Sequence, residues 1–189
     1  EGARVELEGV SADLVVSGTR GPVWVDTVSG DVRIGGDTRE VHASSVSGDL
    51  DIQAPASSDT QLESVSGDID AKQLSGVLRA ETVSGDLNVS GSSFKKVDLQ
   101  CVSGDIDLSL TGLSEDAEIS LDSVSGDIHF NGPKALNARV ELETYSGVLR
   151  SDFGKPDADE PERLEVTLGS GKGRIRLESH SGDIILKGK

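Results

Sequence analysis

Val28-Ser29-Gly30-Asp31-Val32 is one of six intact copies of a single phrase: Val-Ser-Gly-Asp and then an aliphatic residue. The others begin at Val46, Val65, Val83, Val102 and Val124. His180–Asp183 is a further copy with its first residue changed, Val10–Asp13 carries Ala12 in place of the glycine, and Tyr145–Val148 lacks the aspartate. From Ala12 the third position of the phrase recurs at Gly30, Gly48, Gly67, Gly85, Gly104, Gly126, Gly147 and Gly182, at intervals of 18, 18, 19, 18, 19, 22, 21 and 35 residues. A period held over most of a chain is the signature of a repeat architecture.

Aligned on the glycine, each unit contains two short alternating segments. Asp31-Val32-Arg33-Ile34 and Asp49-Leu50-Asp51-Ile52 follow the turn, while Val23-Trp24-Val25-Asp26-Thr27 and Val97-Asp98-Leu99-Gln100-Cys101 precede it. Alternation of polar and apolar residues is the period of a half-buried strand. Stacking the units yields three inward columns. The first is Val25, Ala43, Leu62, Ala80, Leu99, Leu121, Leu142, Leu177, and the second is Val32, Leu50, Ile69, Leu87, Ile106, Ile128, Leu149, Ile184. The third is small and mostly hydroxylated: Thr27, Ser45, Ser64, Thr82, Cys101, Ser123, Thr144, Ser179.

The expectation is an all-β, parallel, right-handed β-solenoid with two main faces, eight or nine coils and about 18–22 residues per coil. Right-handedness follows from the rule for parallel crossovers. Each structural turn glycine takes a conformation that a Cβ would oppose, and Ala12 suggests a looser first coil. One domain is expected over residues 1–189. Its regularity breaks at an acidic, proline-containing loop (151–163) and at the glycine turn Gly169–Gly173 in the last coil. The two alternating segments around that turn fit either a hairpin or an extra strand added to one coil; Ile175 and Leu177 keep their columns, which favours the extra strand.

The 189 residues carry a formal net charge of −16, with 34 acidic against 18 basic side chains, and only 3% are aromatic. Such a surface repels nucleic acid and anionic lipid and attracts cations or basic partners. The lone Cys101 precludes an intrachain disulfide. Membrane anchoring is expected only through flanking segments outside this stretch.

Tandem Val-Ser-Gly-Asp-Ile phrases with Thr or Ser three residues before the glycine resemble the toast-rack, adhesin-like family of bacterial cell-envelope β-strand repeats. The resemblance covers essentially the whole chain and includes the glycine turn before the final Ser-Gly-Asp-Ile. It implies a fold and a bacterial envelope or extracellular location, with no shared catalytic residues and no cofactor.

The aspartates of the phrase form a column with neighbours about 4.8 Å apart. At an effective dielectric near 20, adjacent carboxylates repel by roughly 3 kcal/mol before screening. Hydrogen bonds from turn amides, or from the serine two residues earlier, offset this in one reading. In the other, calcium bridges neighbouring coils through Asp49, Asp51, Asp68, Asp70, Asp105 and Asp107. A polysaccharide-acting enzyme would have Asp51, Asp70 and Asp107 with Arg33 or Arg79 as its material. His42, His129 and His180 fall in different columns or on distant coils. The main expectation is a non-enzymatic rigid spacer or interaction surface, offering its acidic face to a protein, peptide or cell-wall partner. Self-association into filaments through the end coils is the alternative.

Overall fold

A computed structural model describes residues 2–189. The described residues contain no helix; the chain winds into a parallel β-solenoid of short strands. The first coil is β1 (Val5–Ser11) and β2 (Leu14–Ser17), the second β3 (Val23–Ser29) and β4 (Val32–Gly35), the third β5 (Glu40–Ser47) and β6 (Leu50–Gln53). β7 (Asp59–Ser66), β8 (Ile69–Ser84), β9 (Leu87–Ser103) and β10 (Ile106–Leu110) make the next three, β8 and β9 each running from one face round to the other. The seventh is β11 (Leu113–Ser125) with β12 (Ile128–Gly132). Through the first six coils every strand pairs in parallel with its counterpart one repeat on, as Val25↔Ala43 and Val32↔Leu50. Equal steps in sequence thus become equal steps along an axis.

Seven coils follow one another in chain order, against the eight or nine expected, and the remainder of the chain does not continue the winding in sequence. β13 (Ala138–Ser146) and β14 (Leu149–Ser151) come next in the chain, but the strands that pair with β11 and β12 are β16 (Gly173–Ser181) and β17 (Ile184–Gly188). The last coil of the sequence therefore lies between the seventh coil and β13–β14. β15 (Arg163–Thr167) closes the outer side of β13 as an antiparallel strand, Leu142 opposite Leu164. β15 and β16 are both partners of β13 and do not form a hairpin with each other. The extra strand, β15, is thus added to the outer side of β13 and is not inserted into a coil as expected.

The anticipated inward columns are in place, with Leu177 between Leu121 and Leu142 rather than after both. One continuous core fills the space between the two faces; Leu50, Ile69, Leu87, Leu99, Ile106 and Phe130 are completely buried in it. A fully buried leucine or isoleucine contributes about 1.5–3 kcal/mol. The driving force is thus spread along the stack and is least in the first coil, where Val5, Leu7 and Leu14 are only partly buried.

Candidate functional site

The turn phrase builds the corner of every coil, and its glycine is fixed by how closely the coils approach. A Cβ at Gly48 would lie 2.3 Å from the Gly30 carbonyl oxygen, and one at Gly67 the same distance from that of Gly48. The pattern continues to Gly182, which faces the Gly126 carbonyl, and to Gly147, which faces that of Gly182. Six of these glycines also take φ between +122° and +152°. Ala12 has no earlier coil's glycine carbonyl against it. Its methyl group is tolerated because it stands at the start of the file, and looseness is not needed to explain it.

The aspartate carboxylate in each corner accepts a hydrogen bond from the neighbouring coil. The Asp31 amide donates to Asp13 Oδ1 at 3.1 Å, Asp68 to Asp49 at 2.9 Å, Asp86 to Asp68 at 2.8 Å, Asp127 to Asp105 at 2.8 Å and Asp183 to Asp127 at 2.7 Å. The last donor is the Val148 amide, 2.9 Å from Asp183 Oδ1. The donors are therefore amides one coil away, not the turn's own amides or serine hydroxyls. Val148 ends the file, and no further amide calls for a carboxylate there. The copy without the glycine and the copy without the aspartate mark its two ends.

The aspartates considered for calcium separate into two sets. Asp49, Asp68 and Asp105 belong to this ladder. Asp51, Asp70 and Asp107 stand in an outward column with Arg33, Asn88 and His129, where Asn88 separates Asp70 from Asp107. Asp70 lies 3.6 Å from Lys72, and Asp107 lies 3.4 Å from His129 Nδ1. Among the described residues no three His, Cys, Asp or Glu side chains are grouped to hold a metal. Of the two arginines suggested with these acids, Arg79 is on the other face, 3.7 Å from Asp98, while Arg33 stands beside Asp51 with its guanidinium 3.1 Å from Asp31. The three histidines stand in separate columns, His42 stacked on Trp24 at 4.1 Å and His180 beside Tyr145 at 5.1 Å.

The hydroxyl column is buried, as its parity requires. Ser179 and Thr144 donate to the carbonyls of Gly126 and Gly182, and the Cys101 thiol to that of Gly85. Burial pushes the Cys101 thiol above its usual range, which makes it a poor nucleophile. The hydroxyls of Ser45, Ser64, Thr82 and Ser123 have no hydrogen-bond partner.

Outside this column lies a second file, which the inward columns do not include. The first valine of each phrase points outward, and Val28, Val46, Val65, Val83, Val102 and Val124 are each about half exposed. They form an apolar ridge parallel to the axis, continued by His180 and Tyr145. Two residues earlier on each strand stand Ser44, Glu63, Glu81, Gln100, Asp122 and Glu178. Ridge and acidic file are the walls of a groove of about 630 Å³ that crosses six coils. The signal was present in Glu63-Ser64-Val65: if Ser64 faces in, both neighbours face out.

Charge within the groove is uneven. Arg176 sits against Glu178, whereas Glu63, Glu81 and Asp122 have no cationic partner within 4.0 Å among the described residues. Burial raises the Asp122 carboxyl above its ordinary range, the Ser120 hydroxyl lowers it through a 3.0 Å hydrogen bond, and Glu178 and Asp98 raise it further.

Comparison with curated proteins and with solved structures finds no match. Comparison with protein families gives one, described as Toastrack DUF4097, over residues 25–187, which takes in every coil but the first. Repeat period, corner phrase and stacked parallel strands all agree with it, and the chain belongs to the Toastrack DUF4097 family.

Proposed function

We propose that this domain is a non-enzymatic rod of the bacterial envelope or extracellular side, serving as a rigid spacer and as an interaction surface for a protein, peptide or cell-wall partner. The observation that carries the reading is the unbroken carboxylate-to-amide ladder from Asp13 to Val148. It locks each corner to the next, so that side chains on the outer faces are presented at one fixed spacing. With 34 acidic residues against 18 basic ones, what is presented is a repetitive anionic surface, suited to basic partners such as cationic envelope-active peptides.

Binding of fluorescent polylysine, measured over a range of sodium chloride concentrations, tests this. The expected result is affinity that falls steeply with salt, because screening weakens exposed charge pairs. Failure to bind, or binding indifferent to salt, would remove the anionic surface as the working part.

A further inference from the structure

We infer that the groove beside the valine ridge is a docking site for a basic amphipathic α-helix lying along the solenoid axis. The inference rests on the proposed interaction role and names its location and partner.

The ridge supplies the apolar half of the site. Val46, Val65, Val83, Val102 and Val124 are exposed by 48–52% in an unbroken file. A contiguous apolar strip rimmed by charge is the surface character of an interaction site. The acidic wall sets the sign of the partner: Glu63, Glu81 and Asp122 have no ion-pair partner among the described residues. Asp122 stands half-buried with Glu178 and Asp98 near it, each of those two already paired with an arginine, Arg176 and Arg79. Basic side chains laid there would complete three ion pairs, of which the one to half-buried Asp122 is partly desolvated and so worth most.

Spacing selects the partner's backbone. Neighbouring coils are about 4.8 Å apart, and the six that line the groove span about 24 Å. An extended peptide along the axis would present same-side residues every ~6.8 Å and would fall out of step within two coils. A helix repeats every 5.4 Å and covers the same length in about 16 residues. Glu63 and Glu81 are one coil apart, and Asp122 is two coils beyond Glu81. Basic residues at i, i+3 and i+10 of a helix fall about 4.5 and 15 Å along its axis and share one flank. That matches coil positions of about 4.8 and 14.4 Å. Apolar residues at i+4, i+8 and i+11, on the adjoining flank, would meet the valines. A second copy of this chain is a poor occupant, since its own acidic file would face the first.

The probe is a labelled synthetic peptide of about 18 residues, enough to cover the groove, with leucines and lysines at those positions. A scrambled isomer of identical composition is its control, and fluorescence anisotropy is the readout. The helical peptide should bind at least tenfold more tightly than the isomer. Combining Val65→Ser, Val83→Ser and Val102→Ser should abolish that preference while leaving polylysine binding intact, and Glu63→Gln with Glu81→Gln should weaken both ligands. Val15→Ser, on an exposed valine outside the groove, should change nothing. These side chains are half-exposed or more, and an unchanged circular dichroism spectrum verifies that each variant is folded. Equal affinity for helix and isomer, or a preference that survives loss of the valines, overturns the groove assignment alone. Loss of polylysine binding to the parent protein would instead overturn the broader reading.

Discussion

One residue type, glycine, carries two constraints at six of the corners, and Ala12 carries neither. Gly67 combines φ of +146° with a Cβ position 2.3 Å from a backbone oxygen that cannot swing aside. Gly67→Ala should therefore lower unfolding stability by about 2–4 kcal/mol, from backbone strain and overpacking together. Ala12→Gly should cost no more than about 1 kcal/mol, the conformational-entropy difference. Urea denaturation of the pair checks this; equal effects would mean that the corners do not hold the coils at this distance. Asp68 and Asp70 form a second contrast. Asp68→Ala leaves the Asp86 amide without its acceptor and should cost about 1–2 kcal/mol, whereas Asp70→Ala, on the outer face, should stay within about 0.5 kcal/mol. Asp122 behaves oppositely to the ladder. Its folded-state carboxyl titrates above its ordinary range because burial disfavours the charge, so its contribution is best at low pH and is lost as pH rises through the folded pKa. Asp122→Asn, which can still accept from Ser120, should raise the melting temperature at neutral pH and lose that advantage as the solution is acidified below the carboxylate range. A variant that melts identically to the parent at every pH would contradict the assignment.

The strands and their faces were legible in the sequence because a period of two leaves little freedom: once Leu62 faces in, Ser64 does too. Order along the stack was not. Val140, Leu142 and Thr144 present the same columns as Ile175, Leu177 and Ser179, so hydrophobic pattern cannot say which set touches Ile119, Leu121 and Ser123. The aspartates could have. A coil without its carboxylate must come last, and Tyr145–Val148 is that coil, which makes His180–Asp183 the neighbour of Val124–Asp127 despite their 56-residue separation. The valine ridge is silent in the inward columns for a different reason: the first residue of the corner phrase packs nothing inside. The interleaved order has a measurable consequence. β16 is hydrogen-bonded on both sides, and Ile175, Leu177, Ile184 and Leu186 are completely buried. Chain-end segments ordinarily fray and exchange first, but amides of β16 should exchange with deuterium as slowly as those of β9, in the middle of the rod, and far more slowly than those of β1, which pairs on one side with β3. Fast exchange over residues 173–181 would mean that the inserted coil leaves its slot readily.

At the scale of the whole rod, the feature that gives it a partner also strains it. A globular protein scatters its charges, but translation along an axis brings like charges together: the corner aspartates recur at every coil but that of Tyr145–Val148, and Asp51 and Asp70 repeat on the outer face. Hydrogen bonds from neighbouring amides stabilise the corner carboxylates locally, yet they leave the charge in place. The repulsion that remains acts over one coil step of about 4.8 Å and beyond. Screening reaches that scale only when the Debye length shrinks from about 30 Å at 0.01 M salt to about 3 Å at 1 M. The melting temperature should accordingly rise steadily with sodium chloride across this range, with no requirement for a divalent ion, and potassium chloride should reproduce it. The unfolded chain carries the same −16 charge at greater average separation, so screening favours the folded rod. Peptide binding should move the opposite way over the same salt series, because the carboxylates that repel one another are those that attract a basic partner. A melting temperature that falls as salt is added would mean that attractive pairs such as Arg139–Glu141 and Lys172–Glu115 outweigh the files of like charge, and the rod would then be held together by its surface ions rather than in spite of them.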